Sequence, residues 1–278
     1  MTEVNMQVPV SSMVFMAVSV FVSIGLPVTA FVFLKKKYKA VFFPVFAGAA
    51  AFFLAVLVLE SSVHAIVLKN FDLKEKPFLF VLYGIFMAGI FEETARFITF
   101  NILKKKHDGI KTGLCYGVGH GGIEAIMIGG FAMISSVVFS ILINTGNFDT
   151  VIAGLNEAES GKNSQIVEIL MSTAPYMFLL SGIERAFAFF IQMSLSVLVF
   201  YSVYSNFKKR LWLFPCAVLL HAIIDIPAAM YQAGVITNLI IIEGIIFVFT
   251  IACILIAVNV HRRLKLCVTT AQETEMNQ

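Results

Sequence analysis

The sequence predicts an all-α, polytopic transmembrane helix bundle of about seven spans, with the N-terminus outside and the C-terminus cytoplasmic. Three observations carry that expectation. The 278 residues are 59% hydrophobic and only 13% charged, with a mean hydropathy of +0.90, which is far too apolar for a soluble domain of this length. Apolar stretches recur that are long enough to cross a ~30 Å hydrocarbon layer at about 1.5 Å per residue. Every second connection between them is strongly basic, the asymmetry that sets orientation by the positive-inside rule.

The first predicted span, 9–34, has no Lys or Arg ahead of it and no small-residue cleavage site, so it is expected to be a retained helix rather than a signal peptide. Lys35, Lys36, Lys37 and Lys39 follow it. The second span, 41–67, leads into a mixed connection, with Lys69, Lys74 and Lys76 against Asp72 and Glu75. The third and fourth, 77–103 and 111–143, are joined by Lys104, Lys105, Lys106 and Lys111. A long outer loop, about 144–174, comes next and carries Asp149, Glu157, Glu159 and Glu168 against Lys162. Its second half, Ser164 to Ser172, contains Ile166, Val167, Ile169, Leu170 and Met171 and predicts a short surface helix; a substrate guide and a plain connector are both open. Lys208, Lys209 and Arg210 join the fifth and sixth spans, 175–205 and 211–230, and Arg262, Arg263 and Lys265 follow the seventh, 236–260.

The expected organisation is a single transmembrane domain over 1–265 and a polar, disordered cytoplasmic tail over 266–278. The net charge of +3 is explained by the basic connections, so the expected partner is the lipid bilayer and not nucleic acid. Cys115, Cys216, Cys253 and Cys267 show no CxxC spacing and are expected as reduced thiols.

Against this apolar background stand ionisable residues near the middle of spans: Glu92, Glu93, Arg96, His120, Glu124, Glu184, His221 and Asp225. A charge at the centre of a bilayer costs roughly 2.5 to 3.5 kcal/mol on insertion scales, so such residues persist with partners and a role. In Phe91 to Arg96, the arginine sits three and four residues after the glutamates and can reach either, while the two carboxylates diverge by about 100°. One acid is then paired and the other left as a base or ligand; a buried ion pair holding helices in register is the plainer alternative. His120 and Glu124 are four apart, on one helical face, beside small residues at Gly113, Gly117, Gly121, Ala125 and Gly129 that let another helix approach closely. His221 and Asp225 are also four apart, so the aspartate can fix one imidazole nitrogen and leave the other for a metal, a water or an oxyanion. Pro227 follows and can loosen the helix. Glu184 and Arg185 lie near the outer third of the fifth span, with Gln192 two turns deeper; a further ligand and a structural pair are both open. Glu60 and His64, and Glu243, are expected to be structural or pore-facing.

Counted from the cytoplasmic ends, the groups of the third, fourth and sixth spans lie roughly 14 to 21 Å in at helical rise, a common slab near the midplane. Converging carboxylates and imidazoles can deprotonate a water directly, or through a Zn²⁺ that lowers its pKa to about 7. Peptide-bond hydrolysis inside the membrane fits that inventory. Neither HExxH nor GxSxG is present.

Glu92-Glu93-x-x-Arg96, His120-x-x-x-Glu124 and His221-x-x-x-Asp225 occur in the order and spacing of a known pattern. Through them the chain resembles the YhfC family of intramembrane metalloproteases, within the wider group that includes the PrsW proteases and the CAAX-protease and bacteriocin-processing proteins. The resemblance runs from the second span to the seventh. It implies a multi-pass protein of a bacterial plasma membrane, acting on a membrane-protein or peptide substrate. It makes Glu92 or Glu93 the base or ligand, with His120 and Glu124, then His221 and Asp225, as the further contributions, and Arg96 and Glu184 in support. A Zn²⁺ would draw on His120, His221 and Glu92; a metal-free glutamate and histidine route is equally compatible with the family. Gln192 stands where the resemblance implies a histidine, a departure that weakens a ligand or catalytic role there. Two other classes compete: a proton- or cation-coupled transporter or channel, against which no paired broken helices are seen in matching halves, and a non-catalytic immunity or scaffold protein.

Overall fold

The computed structural model describes residues 7–39, 41–153, 160–204 and 210–276, without the side chains of 74, 151–164 and 265–276. The helices are α1 (Val10–Tyr38), α2 (Phe42–Asn70), α3 (Pro77–Leu103), α4 (Ile110–Asn144), α5 (Phe148–Ala153), α6 (Ser160–Ser172), α7 (Pro175–Tyr204), α8 (Leu213–Gln232) and α9 (Leu239–Met276). Among the described residues there is no strand, and seven helices, α1 to α4 and α7 to α9, are long and apolar enough to cross a membrane. Large apolar side chains such as Phe21, Phe42 and Phe78 stand exposed along them, as expected of a surface bathed by acyl chains.

Local chemistry accounts for the helix ends. Pro77 opens α3 at a position where its missing N–H costs no hydrogen bond. After α4 the chain enters the left-handed region at Gly146, φ 71°. There Gly146 N–H and Asn147 N–H close back on the Ile143 and Leu142 carbonyls at 3.1 and 2.9 Å, a cap that favours glycine. Two stretches are wound as π-helix, Phe53–Glu60 in α2 and Ala125–Gly130 in α4, and α8 continues through Pro227.

A short helix expected over Ser164 to Ser172 is present within α6. The short α5 before it carries no periodic signal and was not expected. The segment after Lys265, expected to be disordered, continues α9 as helix to Met276; it contains no Gly or Pro to end one. Glu157, Glu159, Lys208 and Lys209 of the connections lie outside the described residues. Cys115, Cys216 and Cys253 are free thiols.

The chain divides into two compact units. One comprises Met1–Leu26 and Ala125–Ala186. Its small core joins Val8, Met16, Leu170 and Phe178, with Ile166 and Met171 of α6 partly buried against it, while Ile169 stays exposed. Asn144 ties Val8 to the end of α4, accepting from its N–H at 2.7 Å and donating to its carbonyl at 3.0 Å. Ser19 donates to the Phe178 carbonyl at 2.6 Å.

The other unit comprises Pro27–Glu124 and Phe187–Gln278. Its core is built on α7, with Leu195, Val199 and Phe200 packed with Phe100 of α3, Tyr116 of α4 and Ala217 of α8. Backbones meet closely here. A methyl group on Gly119 of α4 would sit 1.8 Å from the Val45 carbonyl oxygen of α2, and one on Gly48 would sit 2.2 Å from the Tyr116 carbonyl oxygen. α3 and α8 meet at Gly89, opposite the Val218 carbonyl.

Candidate functional site

The polar residues of α3 belong to its buried face. Val81, Ile85, Gly89, Glu92, Glu93, Arg96, Phe100 and Leu103 are all buried and follow helical spacing, so the charged triad interrupts an apolar stripe that faces protein. His120 of α4 reaches the same depth because its neighbours have no bulk. Gly119 lets α2 in on one side, while Gly117 and Gly121 bring α7 to within touching distance of α4 at Met193 and Gln192 on the other. The small-residue stripe thus does pack against a helix, α7, and a second glycine face packs against α2. Glu124 follows one turn later, immediately before the π-helical turn at Ala125, and such turns recur at functional positions.

Two linked clusters result. In the first, Arg96 Nη1 donates to both oxygens of Glu93 at 2.7 and 2.9 Å. His221 Nδ1 lies 2.7 Å from Glu93 Oε1. In the second, Glu92 Oε2 lies 2.9 Å from His120 Nε2. Gln192 joins the two. Its Oε1 accepts from Arg96 Nη2 at 2.5 Å, and its Nε2 donates to Glu92 Oε2 at 2.8 Å and to Glu124 Oε2 at 2.7 Å. Glu93, Arg96 and His120 are 0% exposed, so these bonds lie away from bulk solvent, where an unmet charge would be most costly.

The convergence expected from depth is therefore present for the third, fourth and sixth spans, with pairings that differ in detail. Arg96 takes Glu93 and leaves Glu92 at 4.0 Å. The partner that orients His221 is Glu93 on another helix; Asp225 Oδ2 lies 3.4 Å from the opposite nitrogen, Nε2, which also faces Glu92 Oε1 at 4.0 Å. Glu184 belongs to the other unit, where it accepts from the Arg185 guanidinium.

Two features escaped the sequence reading. Gln192, read as a departure that weakens a ligand or catalytic role, is a hub of the hydrogen-bond network; the signal in the sequence was a polar amide within an otherwise apolar span. Glu60 and His64 also extend to a third residue: His64 Nε2 lies 3.1 Å from Glu60 Oε1 and its Nδ1 lies 2.8 Å from the Tyr83 hydroxyl.

Chemically, Glu92, His120 and Glu124 each offer a buried ligand atom, and these atoms lie within 4.8 Å of one another. Two carboxylates and an imidazole are a donor set that suits a divalent cation such as zinc, and equally one that can hold and deprotonate a water. His221, fixed at Nδ1, presents Nε2 toward Glu92 from the side.

The family model described as YhfC intramembrane metalloprotease matches residues 19–246. The chain is 37% identical over 240 residues to a Bacillus subtilis (strain 168) protein named "Uncharacterized membrane protein YhfC", covering 84% of this chain and 91% of that protein. No solved structure matches. With the seven apolar helices, these findings make the protein a multi-pass membrane protein, and the chain belongs to the YhfC intramembrane metalloprotease family.

Proposed function

We propose that the protein is an intramembrane protease that hydrolyses a peptide bond of a membrane-protein or membrane-borne peptide substrate, using a water activated between Glu92, His120 and Glu124. The observation that carries this reading is the buried contact of Glu92 Oε2 with His120 Nε2 at 2.9 Å, with a Glu124 oxygen in the same small volume. Water held there meets a base and an imidazole in a medium of low dielectric, where charge stabilisation is strong.

Glu92 accepts a proton from the attacking water as the C–O bond forms, and that proton is then available to the leaving amide nitrogen. His120 holds the Glu92 carboxylate through Nε2. With both ring nitrogens protonated, His221 donates from Nδ1 to Glu93 and is positioned to donate from Nε2 to the carbonyl oxygen as it becomes an oxyanion. Glu93 and Arg96 touch no reacting atom; they orient His221 and Gln192. If a Zn²⁺ is held by Glu92, His120 and Glu124, it supplies a bound water with a pKa near 7 and polarises the carbonyl. The donor set fits such an ion by chemical type. The basic connections are placed in the cytoplasm in this reading.

The test is a comparison of membrane-proteome fragments from cells carrying the wild-type chain, Glu92→Gln or His120→Ala, at matched protein levels. Fragments present only with the wild type are expected. Identical fragment sets in all three would remove the proteolytic reading.

A further inference from the structure

We propose that the Gln192 side-chain amide is a gate on cation binding at Glu92, His120 and Glu124: Arg96 holds it with its NH₂ group toward both carboxylates, where it competes with a divalent cation for the same oxygens. This rests on reading those three residues as a potential metal site, not on proteolysis itself.

The amide has one orientation that its surroundings accept. Arg96 has donors only, so it must meet the Gln192 oxygen, and it does so at 2.5 Å. The guanidinium is itself pinned, because Nη1 is engaged with both oxygens of Glu93 at 2.7 and 2.9 Å. Turning the amide over would set NH₂ against a guanidinium N–H. The stem is confined as well: Gln192 Cβ lies opposite Gly121, where an added methyl would be only 3.0 Å away. The two N–H groups consequently point at Glu92 Oε2 and Glu124 Oε2, at 2.8 and 2.7 Å.

Each carboxylate of the set offers a cation one ligand oxygen, and the amide engages one oxygen on each of them. An amide N–H carries positive partial charge, so it neutralises part of the repulsion between the two carboxylates and holds them together without a metal. It also repels an incoming cation. A cation that takes those two oxygens has to displace two charge-assisted hydrogen bonds, which lowers the affinity of the donor set. An ionised glutamate or an apolar residue in the same place would offer these oxygens no N–H.

The experiment is a Zn²⁺ titration of the purified full-length protein in detergent, against a chromophoric chelator, for the wild type, Gln192→Leu and Gln192→Met. Both variants keep bulk and remove the donor. Each is expected to bind Zn²⁺ tighter by roughly tenfold or more, the scale of one or two charge-assisted hydrogen bonds. Adding Glu92→Gln is expected to abolish the gain, which locates it at this site. Equal or weaker binding by both variants overturns the proposal, since it would mean that the amide organises the ligands more than it blocks them. A wild-type readout covers the case in which both variants misfold. With ¹⁵N-glutamine labelling, the Gln192 side-chain resonance must shift as Zn²⁺ saturates the protein; a resonance that stays fixed overturns the gate. Because affinity is the quantity read, a chain that cleaves nothing still answers the question, and the expected ranking without proteolysis would count against the protease reading alone.

Discussion

Glu93 Oε1 lies 2.7 Å from His221 Nδ1, a bond that joins α3 to α8 across 128 residues of sequence. The same oxygen accepts from Arg96 Nη1. One carboxylate thus holds an arginine and a histidine that are both buried, one turn from the place where Gly89 lets the two helix backbones meet. Packing sets the distance between α3 and α8, and Glu93 sets the orientation of what they carry.

Glu93→Ala is therefore expected to lower stability by roughly 3 to 5 kcal/mol, because it leaves the Arg96 guanidinium and the His221 ring without their shared acceptor. Glu93→Gln, whose amide oxygen still accepts, should lose less. Thermal unfolding in detergent, followed by circular dichroism, measures both. An alanine variant as stable as wild type would mean that the helices are held by packing alone.

Close helix approach makes a second, purely steric expectation. Gly119→Ala forces a methyl to within 1.8 Å of the Val45 carbonyl oxygen, and neither backbone can yield easily. The cost should exceed the roughly 1 to 3 kcal/mol typical of an overpacked core. Gly84→Ala in α3 is the control, since nothing lies within 4 Å of the added methyl, and it should stabilise by about 0.5 to 1 kcal/mol through helix propensity. The two variants should move the unfolding midpoint in opposite directions.

The spans were legible because hydrocarbon thickness imposes a length on any apolar helix, and their ends fall within four residues of where the apolar runs stop. Convergence of Glu92, His120 and His221 was legible for a related reason: depth can be counted from a basic loop. Partner choice was not. The helical i,i+4 rule sees Asp225 as the companion of His221, yet Glu93 on α3 holds Nδ1, and no pattern within α8 encodes which helix lies opposite. Gln192 reads in the sequence as the loss of an expected histidine, whereas its amide, a donor and an acceptor at once, can bridge an arginine and two carboxylates. The end of α9 was misplaced because polarity alone does not stop a helix that meets no Gly or Pro.

The His64 contacts give a third prediction. Glu60 is buried, its Oε1 faces His64 at 3.1 Å, and its Oε2 has no hydrogen-bond partner. His64→Ala should destabilise by about 1 to 3 kcal/mol, the cost of leaving a buried acceptor unmet. Tyr83→Phe, which removes only the bond to Nδ1, should cost about 0.5 to 1.5 kcal/mol. The three residues form one chain of contacts, so the double variant should cost less than the sum of the singles. Strict additivity in the unfolding free energies would show that the contacts act independently.

Arg96→Lys tests whether the site needs the shape of the arginine or only its charge. Arg96 is fully buried and makes three hydrogen bonds with two nitrogens: two to Glu93 and one to Gln192. A lysine keeps the positive charge, but its single ammonium on a flexible stem cannot reproduce a planar fork that addresses a carboxylate and an amide at once. Gln192 would then lose the donor that fixes its amide, and Glu92 and Glu124 would lose a defined neighbour. Retained expression with a moderate fall in stability, about 2 to 4 kcal/mol by the loss of buried charge-assisted bonds, is the expected result. The rate of fragment formation from the membrane proteome should fall by at least roughly tenfold, as expected when a reacting group is displaced by a fraction of an ångström to one ångström. Measuring both on the same preparation separates the effects: wild-type proteolysis at reduced stability would show that the charge suffices and that the fork serves only the fold.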